Sequence, residues 1–94
     1  MELLPEEVIN QKLKIHQGWD YKDNYISKEY KTKNFVEAVA FLMKIAVEAE
    51  KLDHHPDVLI HSYNKLRITL STHSKGGVTE NDLKLAGIIE KLFE

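Results

Sequence analysis

The chain has 94 residues, 43% of them apolar and 30% charged, with a net charge of −2 and no cysteine. That length predicts one folded unit, residues 1–94, whose modest core self-association would reinforce. The near-neutral charge argues against direct nucleic-acid binding driven by phosphate neutralisation, and the lack of cysteine removes disulfides and thiolate zinc sites, as suits a cytoplasmic protein.

Taken in order, the chain opens on an acidic segment, Met1 to Glu7, with no basic stretch leading into a long apolar run. No secretory leader is expected there, and no apolar run approaches the roughly 20 residues that span a bilayer. Leu4 to about His16 reads as a first helix, with Pro5 and the acidic pair Glu6-Glu7 suited to its first turn and an apolar stripe of Leu4, Val8, Ile9, Leu13 and Ile15. Trp19 to Lys31 reads as a β-hairpin turning at Asp23-Asn24. Ile26, Lys28 and Tyr30 share one face there, so Lys28 is expected to lay its stem across apolar surface with its amine in water. Asn34 to about Leu52 is an amphipathic helix, with Asn34 and Glu37 in a capping-box pattern and Phe35, Ala38, Phe41, Ile45, Ala49 and Leu52 facing inward. Pro56 stops it near Asp53. Val58 to His73 reads as a second hairpin turning at Asn64-Lys65, with Leu66, Ile68 and Leu70 alternating with polar residues. Thr79 caps the last helix with Asp82 at its third position, and Val78 and Leu83 form a staple across the cap. The order α-β-β-α-β-β-α predicts an α+β fold: a four-stranded antiparallel sheet with the helices packed on one face.

The chemistry gathers between Glu50 and Asp82, which hold four of the five histidines. His54 and His55 follow a helix on a turn fixed by Pro56, and His73 lies at or just past a strand end. Two imidazoles from separate elements can donate one proton and remove another near neutral pH. Glu50, Asp53 and Asp82 are placed to orient such rings. Plainer readings stand beside this one: His54 as a cation at a helix C-terminus, Asp82 as a cap, His73 as a surface residue. His61 and His16 read as structural or exposed. A metal site is not expected, since His54-His55 lacks the i, i+4 spacing and no HExxH is present; nor is a GxSxG nucleophile.

These residues resemble the pterin-4a-carbinolamine dehydratase family, which includes a dimerisation cofactor of a homeodomain transcription factor. The motif is Glu50-Lys51-Leu52-Asp53-His54-His55-Pro56, then Tyr63-Asn64-Lys65, Leu70-Ser71-Thr72-His73, and Gly77-Val78-Thr79-Glu80-Asn81-Asp82. The likeness extends to Gly18-Trp19, Asn34-Phe35 and the last helix. It departs after Pro56, where Val58-Leu59 stand at a place the family often gives to an aromatic. The resemblance implies dehydration of a 4a-hydroxytetrahydropterin to quinonoid dihydropterin, supporting tetrahydropterin recycling, with pterin as substrate and no cofactor or metal. It implies His54, His55 and His73 as the catalytic set. It also implies Glu50, Asp53, Pro56, Thr72, Ser74, Lys75 and Asp82 as supporting or substrate-binding residues, and a homodimer or homotetramer. Two alternatives are a non-catalytic pterin-binding or coactivator-like dimerisation module, and a dehydratase acting on a molybdopterin-pathway intermediate.

Overall fold

The computed structural model describes residues 2–94. Its elements are α1 (Glu6–Leu13), β1 (Asp20–Lys22), β2 (Tyr25–Lys31), α2 (Phe35–Leu52), β3 (Asp57–His61), β4 (Lys65–Leu70) and α3 (Glu80–Phe93), with a 3₁₀ turn at His73–Lys75 before α3. The strands form one antiparallel sheet in the order β1-β2-β4-β3. The α-β-β-α-β-β-α order and the four-stranded sheet are as the sequence pattern predicts.

Strand alternation sets the layering. Ile26, Lys28 and Tyr30 of β2 lie opposite Leu70, Ile68 and Leu66 of β4, so all six share one face. Ile26, Leu66, Ile68 and Leu70 are fully buried there, against Ile9 and Leu13 of α1, Phe41, Ile45 and Ala49 of α2, and Leu83, Leu85, Ala86 and Ile89 of α3. Each of the Leu, Ile and Phe side chains among them contributes roughly 1.5–3 kcal/mol of burial. The opposite face carries Glu29, Lys31, Arg67 and Leu59, all exposed. The helices therefore cover one face of the sheet.

Lys28 departs from expectation. Its amine is not left to water alone but bonds the carbonyl of Gln17 at 2.8 Å and the carboxylate of Glu90. The same Glu90 oxygen accepts from Trp19 Nε1 at 3.0 Å and Tyr30 Oη at 2.5 Å. Burial favours the neutral acid, but the hydrogen bonds from Lys28, Tyr30 and Trp19 outweigh it and hold Glu90 below the usual carboxylate range. Burial, then the Glu90 bond and its charge, raise the Tyr30 phenol above its ordinary value.

Two element boundaries and the burial of Phe35 also differ. α1 ends at Leu13, because the next amides of Lys14, Ile15 and His16 bond carbonyls three residues back, the tighter 3₁₀ pattern. Ile15, expected in the apolar stripe, is consequently exposed. In α2, Phe35 keeps the inward spacing but stands at the first helical position and stays over half exposed. The β3–β4 turn runs over Ser62, Tyr63 and Asn64, the first two with positive φ, so the expected Asn64 lies in it while Lys65 already opens β4 opposite His61. Asn64 is buried and acts as an anchor: its side-chain amide donates to the Thr32 carbonyl, and its own carbonyl accepts from Thr32 N–H and Oγ1. The β1–β2 turn is at Asp23-Asn24, both with positive φ, as a two-residue hairpin turn of this twist requires.

Candidate active site at the α2 end

The end of α2 positions His54. Asp53 takes the left-handed conformation at φ 51°, and its N–H bonds the Glu50 carbonyl while the N–H of His54 bonds that of Ala49. This pairing closes the helix and turns the chain back toward the core. Asp residues tolerate this backbone better than most. His54 is buried, whereas His55, one residue on, is exposed. Pro56 then commits the chain to the extended β3.

The start of α3 supplies the partner. Thr79 is the N-cap and Asp82 the third helical residue, and both halves of the capping box are made. Asp82 Oδ2 accepts from the Thr79 N–H at 2.8 Å and from Thr72 Oγ1 at 2.8 Å. Its other oxygen, Oδ1, lies 2.5 Å from His54 Nε2. Asp82 has no solvent exposure. It is thus both the cap and the partner of His54, the two readings that the sequence left side by side. Every group around the carboxylate is a donor, so a buried polar centre is fully paired.

Thr72 ties this centre to His73. Its N–H bonds Gly77 O at 2.8 Å, and its carbonyl accepts from Lys75 and Gly76 N–H. These bonds fold the 3₁₀ turn that carries His73, Ser74 and Lys75. All three are exposed, and the ring of His73 has no hydrogen bond or ion pair among the described residues. Gly76 ends the turn at φ +72°, a conformation that favours glycine.

His55 has a separate partner. Its Nε2 lies 2.8 Å from Glu50 Oε1, with both side chains mostly exposed. The two residues border a cleft of about 370 Å³ between α2 and β3, walled by Leu42, Ala46, Pro56 and Val58. Asp53, expected to orient a ring, contributes its backbone instead; its exposed carboxylate has no hydrogen bond or ion pair among the described residues. His61 pairs with Glu29 at 2.6 Å on the open face of the sheet. That bond is the main cause that lowers the Glu29 pKa; it acts against an opposing desolvation, and the nearby charges of His61, Arg67 and Lys65 add to it. His16 lies against Gly87 and lines a cleft beside α1. Sequence reading treated Thr79 only as a cap. Its hydroxyl also lies 2.7 Å from that of Thr72, and no local pattern signals a contact between a cap and a residue just past the preceding strand.

A buried imidazole–carboxylate pair, with an unpartnered imidazole two bonds away along the chain of contacts, suits acid–base chemistry on a small molecule. Comparison with known proteins agrees with that class. The family model for pterin 4 alpha carbinolamine dehydratase matches residues 2–92. The chain belongs to this family of hydro-lyases. A provisionally named pterin-4-alpha-carbinolamine dehydratase of Sulfolobus acidocaldarius is 46% identical over 89 residues, 95% of this chain and 97% of that one. A relative of the same provisional name from Prochlorococcus marinus is 42% identical over 93 residues, 99% of this chain and 97% of that one. Among solved structures, a transcriptional coactivator/pterin dehydratase from Brucella melitensis superposes with a TM-score of 0.91 at 39% identity, covering 97% of this chain and 98% of that chain.

Proposed function

We propose that this chain, as one domain over residues 1–94, dehydrates a 4a-hydroxytetrahydropterin to quinonoid dihydropterin by histidine acid–base catalysis. The product would re-enter tetrahydropterin recycling. The observation that carries the reading is the buried His54–Asp82 pair, joined through Thr72 to the turn bearing His73. Membership of the dehydratase family supports the choice of substrate.

The chemistry asks little beyond placed proton donors and acceptors. The hydroxyl leaves a carbon bonded to nitrogen, and the nitrogen lone pair forms the new C=N bond. The departing oxygen takes up a proton, and a ring N–H gives one up. In this reading His54 and His73 exchange those protons, one imidazole giving and the other taking. His55, steadied by Glu50, contacts the pterin at the mouth of the site, and Pro56 fixes its turn. The main chain of the His73–Lys75 turn meets the pterin edge: the N–H of Lys75 is already spent within the turn, which leaves those of His73 and Ser74. The exposed Lys75 and Asp53 side chains border the entry. The proposed chemistry needs no metal or bound cofactor, and a cytoplasmic setting would suit a reaction that serves soluble hydroxylases.

Association into a dimer or tetramer belongs to the same proposal. Val36, Val39, Met43 and Val47 make a second apolar stripe on α2, exposed along the helix, and β3 is an open sheet edge carrying the exposed Leu59. Sedimentation as a monomer at micromolar concentration would contradict it. The same stripe favours one second reading, a coactivator-like module acting through a protein partner, and the Brucella neighbour's name pairs both roles. Crystals soaked with a dihydropterin decide between them: the dehydratase reading expects the ligand among His54, His55 and His73, and an empty site at saturating ligand counts against it.

A further inference from the structure

The two hydroxyls behind Asp82 form a directional chain. Thr72 has one hydroxyl hydrogen, and it goes to Asp82 Oδ2 at 2.8 Å. The 2.7 Å contact between Thr72 Oγ1 and Thr79 Oγ1 must then be donated by Thr79. The Thr79 oxygen in turn accepts the N–H of the third residue of α3, which is Asp82 itself. The circuit therefore starts and ends on Asp82, and it fixes the carboxylate plane from the side opposite His54. All its members are buried, with Thr79 and Asp82 wholly so.

The consequence falls on the imidazole. A carboxylate accepts and cannot donate, so a neutral His54 facing Oδ1 must carry its hydrogen on Nε2. The lone pair then resides on Nδ1, which has no hydrogen-bond partner among the described residues. Turning the Asp82 carboxylate by releasing Oδ2 would loosen that assignment.

We propose that Thr72 is a positioning residue of the acid–base site, its hydroxyl, backed by that of Thr79, holding Asp82 so that His54 stays in the Nε2–H tautomer with Nδ1 presented to substrate. The proposal rests on the dehydratase reading for its effect on turnover, but not for its effect on the tautomer. Thr72 suits a clean test. Its main-chain bonds to Gly77, Lys75 and Gly76 do not involve the side chain, and valine keeps its shape. Thr79 is less suitable, since it also caps α3.

The test is nitrogen NMR of the His54 ring, read at a pH where the spectrum itself shows one protonated and one bare ring nitrogen, alongside turnover of a 4a-hydroxytetrahydropterin. Wild-type protein should show the Nε2–H tautomer alone. Thr72→Val should show a mixture, with kcat lowered about tenfold, the scale of one charge-assisted hydrogen bond, and KM little changed. Thr72→Ser should restore both. A wild-type ring protonated at Nδ1 overturns the proposal without any variant having to fold. So does Thr72→Val keeping the wild-type tautomer, whatever its turnover, or losing the tautomer with kcat intact. Wild-type protein without turnover would sink the dehydratase reading alone, while the tautomer shift would still decide the role of Thr72.

Discussion

Asp82 divides its duties between its two oxygens, one holding His54 and the other holding Thr72 and the α3 cap. Replacing it by the near-isosteric Asn separates the duties, because an amide keeps one acceptor oxygen and adds a donor. Asp82→Asn should lower turnover about 100-fold, within the range for losing one positioned acid–base group, and should destabilise the fold by about 2 kcal/mol through mismatched buried bonds. Turnover and urea midpoints measured on the same preparation check this; unchanged turnover at reduced stability would leave Asp82 a cap alone. At this scale the sequence separates His54, His55 and His73 from His61 and His16. It does not show that Thr79 and Thr72 converge on Asp82. A capping box is a local pattern of four residues, while its meeting with Thr72, just past β4, depends on how a six-residue excursion folds back through Gly76 and Gly77.

Helix ends carry most of the site. The C-terminus of α2 sets the backbone of His54, and the N-terminus of α3 sets Asp82. α2 closes on Asp53 in the left-handed region, a conformation that costs a non-glycine residue roughly 1 kcal/mol. Asp53→Gly should therefore raise stability by about 0.5–1 kcal/mol, read as a higher urea midpoint. A drop in midpoint would mean that the Asp53 carboxylate does more than its lack of partners suggests. Element boundaries were legible where a capping residue or turn pair stood in sequence: Asn34, whose Oδ1 accepts from Glu37 N–H at 2.9 Å, and Asp23-Asn24 and Thr79. They were not where tertiary contact decides. Asn64 is a turn residue as its type suggests, but its amide and carbonyl are also claimed by Thr32, and the turn reaches back to Ser62-Tyr63, which no local pattern marks.

Across the molecule, the carboxylates held below their ordinary range, Glu29 and Glu90, lie away from the site. Glu90 collects Trp19, Lys28 and Tyr30 on one oxygen, pinning β2 to α3. Its folded-state pKa lies below the usual value, so the unfolded chain binds more protons as pH falls through the carboxylate range. The stabilisation it provides is complete above its unfolded pKa of about 4.3 and is lost as pH drops through the lowered folded value. Urea midpoints of the wild type should fall across that window, and those of Glu90→Gln should fall less; parallel curves would assign the acid loss elsewhere. The overall architecture was legible because hairpin alternation and two capped helices leave few ways to cover one sheet face. The Glu90 centre was not, since a lysine on an apolar face reads as a snorkelling side chain until its partner, 62 residues away, is seen. The central claim remains the chemistry at the α2 end. It is tested most directly by following the loss of chemically generated 4a-hydroxytetrahydropterin with wild-type protein, His54→Ala and His73→Ala, each shown to be folded. The account predicts that the wild type accelerates dehydration and that each variant loses about 100-fold or more of that acceleration. A wild type no faster than either variant would contradict it.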